Sequence, residues 1–595
     1  MYNEYEIKPM PLSVTHCRRQ IEAFLAANNL RLEPVDYYAC VFRLGNDEEI
    51  LAGGGLHGDV IKCVAVGQEI RDEGFSARLI SHLISESQQR GFHSVKVFTK
   101  PENQTIFESI GFHTIARSPD AIMLEMGSAL SDYCQYLRSL SQSSNNNQIC
   151  GVVEMNANPF TRGHLYLLEK AASQVDHLYV IVVREDISIH SECHFSYPER
   201  KSMIETGTRH IKNITVVDGS SFQISSVTFP TYFLKQVDSA TDTHIALDLD
   251  IFVRSIAPSL GVSVRFVGSE PADALTARYN TMMHSILPSH GIRVVEVDRL
   301  NNDGQPISAS TVRTHLLHHS LSGASVLVPP TTLPHLIAFL ATNAMRQELD
   351  LTPKPGLIDR HDNGSHRDMD YHTMLISINT LHPFILAIAS LSANDPDFVL
   401  RVREIGVEAE QAMMHATHGV NTHRGALYAL GITVAALTYI GYPCLPQQLS
   451  QSIATLASRL YSLPTPHSSK DVGTPSHGSI VRSKYGVKGA SDLAMEGYQQ
   501  LFQQWLPFYR RHKHEPDGLL QTLLTIMSTL DDTNVYYRAG IEGARYVIEE
   551  SRAVLVDFSV NKVDQMNANF SNRLISPGGS ADMLALTILI DTLCS

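Results

Sequence analysis

Apolar and polar residues alternate differently in successive parts of the chain. In residues 1–140, short apolar runs surround one stretch with helical spacing, and this pattern predicts an α+β domain. The runs occupy residues 37–44, 61–66 and 94–99, and the helical stretch occupies residues 76–89. A polar tract rich in serine and asparagine at residues 141–148 then predicts an interdomain linker.

Short apolar runs alternate with helical segments from residue 149 to residue 318, which predicts a parallel, doubly wound α/β sheet. The five runs are residues 149–154, 178–183, 214–217, 262–267 and 292–297. A joint rich in Ser, Gly and Pro follows at residues 320–334. Long Ala-, Leu- and Ile-rich segments with helical spacing then dominate residues 335–595, and they predict an all-α domain.

Composition narrows the possible functions. With 595 residues, of which 43% are hydrophobic and 18% charged, the chain is expected to form about three to five domains. A net charge of −14 argues against nucleic acid as a partner. Eight scattered cysteines without a CxxC pair predict a reduced, cytoplasmic protein, and the first residues contain no apolar run typical of a signal peptide.

Two apolar stretches, residues 371–393 and 425–444, approach the length of a membrane span, and neither contains Lys, Arg, Asp or Glu. The first contains two histidines, an asparagine and a proline, and the second is rich in Gly, Ala, Thr and Tyr. No cluster of basic residues flanks either stretch. We therefore expect buried helices of the all-α domain and no membrane association.

Two motifs in the predicted α/β domain suit a nucleotide. The tetrapeptide TRGH at residues 161–164 lies near the start of a helix, whose N-terminus offers unpaired N–H groups to a phosphate. Gly163 allows close backbone approach, and His164 adds an imidazole. About 145 residues later, ISASTVR at residues 307–313 opens a second helix with three hydroxyl groups and the Arg313 guanidinium, which suit outer phosphates.

These motifs resemble the (H/T)xGH and ISxSxxR signatures of the nucleotidyltransferase superfamily, which has a Rossmann-like α/β fold. The strings TFPTYFLK, RFVGSEP and TARYN, at residues 228–235, 265–271 and 276–280, resemble citrate lyase ligases, and this resemblance extends over residues 1–317. It implies catalytic roles for His164 and Arg313. The residues implied in ATP binding are Asn158, Thr161, Gly163, His164, Gly268, Ser308, Ser310, Thr311 and Arg313.

Citrate lyase ligases activate acetate as acetyl-AMP and pass the acetyl group to the thiol of a CoA-like prosthetic group on the acyl carrier subunit of citrate lyase. The resemblance implies the same reaction here, in which charge stabilisation at the phosphates is the main demand. Mg²⁺ is expected with ATP, and no tightly bound cofactor is expected. The spacing of His190, Cys193 and His194 suits zinc, but a fourth ligand is missing, so no metal ligand is assigned.

The front domain resembles the acetyltransferase (GNAT) fold in QEIRDEGFSARL at residues 68–79 and NQTIFESIGF at residues 103–112. In that fold an R-x-x-G-x-G/A loop holds a CoA pyrophosphate at a helix start. Arg71, Gly74 and Ser76 occupy this loop, with Ser at the last small position. Two interpretations stay open, an ordinary turn or a site for the CoA-like arm of the carrier. Neither predicts independent acetyltransferase activity.

Five polar loops interrupt the helices of the rear domain, and loops on a rigid frame are where functional residues concentrate. They are residues 348–370, 419–426, 476–490, 531–540 and 576–582. The strings TPKPGLID, GVNTHRGA and SPGGSAD within them resemble the triphosphoribosyl-dephospho-CoA synthase family, over residues 344–595. The loops therefore predict one shared pocket.

That resemblance implies attack of the 2′-hydroxyl of 3′-dephospho-CoA on C1′ of the ATP ribose, with release of adenine. Positive charge on the sugar calls for carboxylates, together with a proton acceptor for the hydroxyl and a proton donor for the purine. Asp531 and Asp532 are the catalytic candidates, while Lys354, Arg424 and the Gly578–Gly579 backbone are expected to hold the triphosphate. The remaining candidates are Glu348, His366, Asp368, Asn421, His423, His477, Asn534 and Asp582, without individual assignment of acid and base.

Taken together, the sequence predicts a bifunctional enzyme that matures citrate lyase. One alternative is synthesis of the same prosthetic group for malonate decarboxylase, against which the ligase-like front half argues. A second is a non-catalytic scaffold that binds the carrier. The intact phosphate-binding motifs in several separate loops argue against a scaffold.

Overall fold

The computed structural model describes residues 5–45, 49–68, 70, 75–141, 148–184, 193–223, 237–270, 273–464 and 477–594. The chain forms two compact units. The first comprises Met1–Asn158, Arg162–Ser191 and Phe195–Ile307, and the second comprises Pro159–Thr161, Glu192–His194 and Ser308–Ser595.

A mixed seven-stranded sheet with the order β1-β2-β3-β4-β5-β7-β6 forms the front of the first unit. Its strands are β1 Tyr5–Pro9, β2 Tyr37–Arg43, β3 Ala52–His57, β4 Val60–Val66, β5 Val95–Thr99, β6 His113–Arg117 and β7 Ile122–Met126. The helices are α1 Thr15–Ala27, α2 Phe75–Gln89, α3 Gln104–Ser109 and α4 Ala129–Leu140. β4 and β5 pair in parallel, and the other pairs are antiparallel. The predicted strands and helix are present, so the α+β interpretation is confirmed.

The second sheet has five strands, all parallel, in the order β10-β9-β8-β11-β12. They are β8 Cys150–Met155, β9 His177–Val182, β10 Ile214–Asp218, β11 Val262–Gly268 and β12 Arg293–Val297. Helices α5 Arg162–Ala172, α6 Tyr197–Thr208, α7 Val237–Ile251, α8 Ala257–Leu260 and α9 Ala274–Ile286 accompany them, with a π-helical turn at Phe252–Ile256 and a hairpin of β13 Asn301–Asn302 and β14 Gln305–Pro306. Each predicted apolar run contains a strand. The central strands β8 and β9 are almost fully buried, as expected for a parallel sheet, whereas the edge strands β10 and β12 are more exposed.

The two sheets of the first unit share one hydrophobic core. Its buried members include Ile21 of α1, Cys134 of α4 and Ile181 of β9. Polar contacts reinforce the junction: the Tyr133 hydroxyl donates to the carbonyl of Asp218 at 3.0 Å. Residues 142–147 of the predicted linker lie outside the described residues. The front and middle sheets are therefore one body.

Within its described residues from 308 to 464 and from 477 to 594, the second unit consists of helices joined by loops and contains no strand. The first helices are α10 Ala309–Leu317, α11 Leu321–Ser325, α12 Leu333–Asp350, α13 Tyr371–Ala389, α14 Phe398–Ala416, α15 Arg424–Ile440 and α16 Pro446–Tyr461. The others are α17 His477–Tyr485, α18 Ala490–Met495, α19 Leu506–His512, α20 Gly518–Met527, α21 Thr533–Val556, α22 Val560–Asn572 and α23 Gly578–Leu593, with a π-helical turn at Leu501–Trp505. The all-α prediction is confirmed.

Helix α13 is the one described helix that is both long and apolar enough to cross a bilayer, with a mean hydropathy of 1.3. It packs against α12, α14 and α15. The second apolar stretch forms α15, whose residues from Leu427 to Leu437 are nearly all buried. Both stretches are bundle helices, as expected from their polar residues.

Candidate active sites

The carboxyl ends of β8 and β11 define the ligand-binding edge of the parallel sheet. β8 is followed in the chain by β9 on one side, while β11 pairs with β8 on the other side. Ligands of open α/β sheets bind outside such a reversal of strand order. Asn158, Gly163 and His164 follow β8, and Gly268 ends β11. Four of the predicted ATP-binding residues therefore lie at one edge of the sheet.

Buried polar contacts hold the loop between β8 and α5. Arg200 is fully buried, and its Nη1 donates to the backbone and side-chain oxygens of Asn156, each at 2.6 Å. The side-chain oxygen of Asn158 accepts a hydrogen bond from the backbone N–H of Phe195 at 3.1 Å. Asn158 therefore helps to fix the position of the segment that begins at Phe195.

His164 is a neutral imidazole at this edge. Loss of hydration lowers its pKa to about 4, and the nearby Arg299 guanidinium acts in the same direction. Arg299 Nε donates to the carbonyl of Ser269 at 2.8 Å, and its guanidinium pairs with Glu270. Sequence motifs did not identify Arg299, because its partners come from a different loop. At neutral pH His164 can donate or accept a hydrogen bond but carries no charge.

Gly268 leaves open space beside the end of β11. A Cβ atom added there would meet nothing within 4 Å. Its carbonyl accepts a hydrogen bond from Asn280 Nδ2 at 3.0 Å, so the backbone is fixed while its open side stays accessible. This arrangement allows a ligand to approach the backbone closely.

In the second unit, the ISASTVR motif forms the N-terminus of α10. Ser308 is the N-cap, and its Oγ accepts the backbone N–H of Thr311 at 3.1 Å. The same Oγ lies 2.8 Å from the hydroxyls of Ser310 and Thr311. The three predicted hydroxyls therefore form one cluster at a helix N-terminus, where the dipole favours an anion.

Arg313 and Thr161 also belong to the second unit. Burial raises the pKa of the Cys193 thiol to about 12, and the Arg313 guanidinium opposes this rise. Arg313 is half-buried, and Thr161 is buried. His190 lies outside the described residues, and within those residues no three His, Cys, Asp or Glu side chains are placed to bind a metal ion.

Two other predicted motifs fall partly or wholly outside the described residues. Arg71 and Gly74 of the CoA-like loop lie outside the described residues, and Ser76 is the second residue of α2. Residues 228–235 are also outside them. The CoA-like loop remains a prediction.

Hydrogen bonds connect several of the predicted rear segments. Hydrogen bonds join the loop after α12 to the segment before α23: Ser365 Oγ donates to the carbonyl of Ile575 at 2.5 Å, and His366 Nε2 lies 2.8 Å from Ser576 Oγ. Gly356 has a φ of 70°, and a Cβ there would collide with the carbonyl of Ile575. This close approach requires glycine.

Asp532 joins the start of α21 to the start of α23. Its Oδ1 accepts the N–H of Asn534 at 3.0 Å, which caps α21. Its Oδ2 accepts the N–H of Ser580 at 2.7 Å and the Ser580 hydroxyl at 3.0 Å. Added Cβ atoms at Gly578 and Gly579 would press on Asn534 and Asp532 respectively. Both oxygens of Asp532 are thus engaged by the protein.

Glu348 and Lys354 form a buried ion pair. Lys354 Nζ lies 2.6 Å from Glu348 Oε1 and donates to the Glu348 carbonyl at 2.8 Å. Both side chains are nearly inaccessible. A buried pair of this kind is costly to break, because the remaining charge would be left uncompensated.

His423 lies beside this ion pair. Its Nδ1 is 2.8 Å from the hydroxyl of Ser377 on α13, and its buried Nε2 has no hydrogen-bond partner among the described residues. Burial lowers the pKa of His423 to about 3, with a further contribution from Lys354. A buried nitrogen without a hydrogen-bond partner is costly to the folded state.

Asp582 completes the cluster. One oxygen lies where a side chain on Gly425 would be, and its carboxyl accepts the backbone N–H of Ala426. Burial and the nearby carboxylates of Asp532 and Glu348 hold the pKa of Asp582 well above its ordinary value. Three carboxyl groups and the Lys354 ammonium thus share one region.

The other predicted residues have different surroundings. Asp531 is exposed and accepts the Tyr536 hydroxyl at 3.1 Å, and Asp368 is exposed 3.8 Å from His366. Arg424 pairs with Glu410 at 3.0 Å, and its N–H donates to Asn421. His477 begins α17, and its side chain lies outside what the structure describes.

Sequence motifs also missed two residues that touch the rear loops. Arg538 Nη1 donates to the carbonyl of Ser365 at 3.3 Å, and its charge, after burial, lowers the pKa of His366 to about 4. Ser377 Oγ accepts a hydrogen bond from the Thr422 hydroxyl of the GVNTHRGA loop at 2.7 Å and also lies 2.8 Å from His423 Nδ1. Arg538 lies within the recognised DDTNVYYRAG string, whereas Ser377 lies inside an apolar helix that carries no motif.

Two family models match successive parts of the chain. The citrate lyase ligase C-terminal domain matches residues 150–336, and the ATP:dephospho-CoA triphosphoribosyl transferase matches residues 334–595. The [citrate [pro-3S]-lyase] ligase of Klebsiella pneumoniae is 37% identical over 324 residues, covering 54% of this chain and 92% of the relative. The probable 2-(5′′-triphosphoribosyl)-3′-dephosphocoenzyme-A synthase of Azotobacter vinelandii is 37% identical over 287 residues, covering 46% and 96%.

A solved putative triphosphoribosyl-dephospho-CoA synthase from Archaeoglobus fulgidus covers 37% of this chain and 98% of its own, with 13% identity and a TM-score of 0.28, too low to support a fold assignment. The sequence relatives are decisive, since each is matched over most of its length. The chain therefore belongs to two families at once, the citrate lyase ligases in its N-terminal part and the triphosphoribosyl-dephospho-CoA synthases in its C-terminal part.

Proposed function

We propose that this chain is a bifunctional enzyme of citrate lyase maturation. Its N-terminal part acetylates the prosthetic-group thiol of the citrate lyase acyl carrier subunit, using ATP and acetate. Its C-terminal part makes the precursor of that group, 2′-(5′′-triphosphoribosyl)-3′-dephospho-CoA, from ATP and 3′-dephospho-CoA. The observation that carries the proposal is that one chain covers 92% of a ligase and 96% of a synthase in successive regions.

In the ligase reaction an acetate oxygen attacks the α-phosphorus of ATP and pyrophosphate leaves. The carrier thiol then attacks the acetyl carbon and releases AMP. His164, neutral at pH 7, serves as a hydrogen-bond partner of the phosphates, while the Arg313 guanidinium supplies positive charge. The hydroxyl cluster on Ser308 at the start of α10 binds further phosphate oxygens.

Mg²⁺ belongs to this proposal as the partner of ATP. The described residues place no three carboxylate, imidazole or thiolate groups around a metal position. The phosphates of the nucleotide would therefore supply most of the ligands, as is common for this ion. Bound there, Mg²⁺ would stabilise charge on the departing pyrophosphate.

In the synthase reaction the 2′-oxygen of 3′-dephospho-CoA forms a bond to C1′ of the ATP ribose, and the C1′–N9 bond breaks. The sugar becomes electron-deficient in the transition state, so nearby negative charge stabilises it. The buried carboxyl groups of Glu348 and Asp532 would supply such charge, and Lys354 limits its excess. Arg424 and the Gly578–Gly579 backbone remain our proposed partners of the triphosphate.

The chain's organisation and surroundings are also part of the proposal. We propose three domains, a GNAT-like domain at residues 1–140, a nucleotidyltransferase domain at residues 149–318 and the synthase domain at residues 335–595. The loop of Arg71, Gly74 and Ser76 would hold the CoA-like arm of the carrier. A reduced cytoplasm is the compartment that suits eight free cysteines.

Two assays on the purified full chain test the function. ATP with 3′-dephospho-CoA should yield free adenine, and omission of 3′-dephospho-CoA should abolish it. ATP with acetate and a carrier that bears the prosthetic thiol should yield AMP and acetylated carrier. Acetyl-CoA without ATP should acetylate nothing. Absence of either product would refute the corresponding activity, and preference for a malonate decarboxylase carrier would support the alternative pathway.

A further inference from the structure

Tyr498 lies outside all five predicted loops, just after α18, and its hydroxyl is unusual. The side chain is 3% exposed, and the hydroxyl oxygen has no hydrogen-bond partner among the described residues. Its backbone has a φ of 50°, in the left-handed region that is costly for a bulky residue. A native fold holds such a group only if something compensates it, and a bound ligand atom would do so.

The groups around this hydroxyl belong to the synthase cluster. Burial raises the pKa of Tyr498, and Tyr428 and Asp582 act in the same direction, which places both within electrostatic range. Asp582 is partly accessible and sits against the backbone of Gly425 at the start of α15. A phenol and a carboxyl group from different elements therefore face one region.

The three carboxyl groups of the cluster differ in what holds them. Glu348 is paired with Lys354, and Asp532 accepts hydrogen bonds on both oxygens. Asp582 accepts the N–H of Ala426 and faces the carboxylates of Asp532 and Glu348. Like charges at short range favour a proton on one of the group, and Asp582 is the member whose pKa stands well above its ordinary value.

We infer that Asp582 and Tyr498 receive the departing adenine: the Asp582 carboxyl gives its proton to a purine nitrogen, and the Tyr498 hydroxyl donates a hydrogen bond to another. This inference rests on the proposed synthase function. As the C1′–N9 bond breaks, its electron pair goes to adenine, which takes the proton from Asp582. The 2′-oxygen of 3′-dephospho-CoA forms the new bond to C1′, and its proton passes to solvent, from which Asp582 is later reprotonated.

Adenine fits the chemistry of this pair. Its ring nitrogens are acceptors, and both a protonated carboxyl and a phenol are donors. Protonating a leaving group in the transition state typically accelerates a reaction by about 100- to 10,000-fold. The same logic explains why Asp582, unlike Glu348, is not held in an ion pair among the described residues.

The Tyr498→Phe variant of the full chain tests the hydroxyl, with Tyr509→Phe on α19 as a matched buried control. We expect kcat/KM for ATP in adenine release to fall about tenfold, as for one lost hydrogen bond. The melting temperature should stay equal or rise, because an unpaired buried hydroxyl is removed. Wild-type kinetics in Tyr498→Phe, or a lower melting temperature in it than in Tyr509→Phe, would overturn the role of Tyr498.

Asp582→Asn tests the proton donor, since the amide keeps the size and an acceptor for the Ala426 N–H. Adenine release should fall at least 100-fold, and acetate-dependent AMP formation should stay unchanged. In the wild-type enzyme kcat should decline at alkaline pH with the loss of this proton, which needs no variant to fold. A wild-type profile without that decline, or an active Asp582→Asn enzyme that keeps it, would overturn the assignment. A wild-type chain that releases no adenine would instead refute the proposed function itself.

Discussion

The ligase region and the synthase region are built from opposite kinds of charge. In the first unit, His164 lies near Arg299 at the edge of the parallel sheet. In the second unit, the start of α10 carries the hydroxyls and N–H groups of the ISASTVR motif, which also contains Arg313. In the rear bundle, Glu348, Asp532 and Asp582 lie together with Lys354. One region is rich in cations and donors, and the other is rich in carboxyl groups.

This difference follows from the bond of ATP that each region is proposed to break. Displacement at phosphorus accumulates negative charge on phosphate oxygens, which cations and N–H groups stabilise. Cleavage at the sugar–base bond leaves positive charge on the ribose, which carboxylates stabilise. The same nucleotide therefore needs two electrostatic environments. Substitutions in one of them should abolish one activity and leave the other intact.

Among the variants, His164→Ala is expected to produce the largest difference between AMP formation and adenine release. Loss of its hydrogen bond to the phosphates should lower acetate-dependent AMP formation by about 100- to 1,000-fold. Adenine release from ATP and 3′-dephospho-CoA should remain at the wild-type rate. His210→Ala, which removes an exposed histidine paired with Glu169, is the control and should affect neither activity. Loss of both activities in His164→Ala would contradict two independent sites.

A pair of glycine variants in α15 should separate the rear site from the rear fold. The Cβ of Gly425→Ala would overlap Oδ2 of Asp582 and displace it, whereas the Cβ of Gly431→Ala makes only an ordinary contact with Ile388. We expect adenine release to fall about 100-fold in Gly425→Ala, as for a displaced catalytic group. Gly431→Ala should keep full activity and melt at an equal or higher temperature. Equal activities in the two variants would show that the position of Asp582 is unimportant.

A smaller effect is expected from Asp532→Asn. The amide retains one acceptor oxygen but loses charge-assisted hydrogen bonds to Asn534 or Ser580, at a cost of about 1–3 kcal/mol in unfolding free energy. Adenine release should fall about tenfold, as the start of α23 loosens, and AMP formation should be unchanged. The exposed Asp531 offers the comparison. If Asp531→Asn proves the more damaging variant, the exposed carboxylate carries the chemistry.

The smallest effect concerns pH and stability. The pKa of His423 is about 3 in the folded chain and near 6.5 when unfolded, so the unfolded chain binds more protons below about pH 6.5. Its contribution to stability is complete above that pH and is lost as the pH falls toward 3. Between pH 7.5 and 6 the loss is about 1 kcal/mol for this residue. His423→Gln should reduce the pH dependence of denaturant unfolding by that amount, and an unchanged slope would contradict the burial of a neutral imidazole.

The sequence predicted the fold well where burial leaves a continuous pattern. The apolar run at residues 178–183 became β9 because a central parallel strand has no solvent face, and α13 kept its helical spacing through a long apolar stretch. Among the predicted polar rear loops, residues 351–370 and 419–423 do lie between helices, whereas most of residues 476–490 and 531–540 belong to α17 and α21. The confirmed features are local, so one segment is enough to reveal them.

Pairings between distant segments could not be predicted in this way. Arg299 acts on His164 through a loop about 135 residues away along the chain, and Tyr498 lies near Asp582 with no motif around it. The saturation of Asp532 by Ser580 is also invisible in either string. Side-chain partners depend on how helices and strands pack, and a single sequence does not specify that geometry.

The shared core of the first unit limits where this polypeptide can be divided. Severing the chain within residues 142–147 would leave Cys134 on one fragment and Ile181 on the other, each with half of an apolar interior exposed to water. Such fragments would be prone to aggregate. Gene rearrangements in evolution should therefore have kept the two sheets together. Laboratory fragments of the ligase should likewise keep both sheets in one piece.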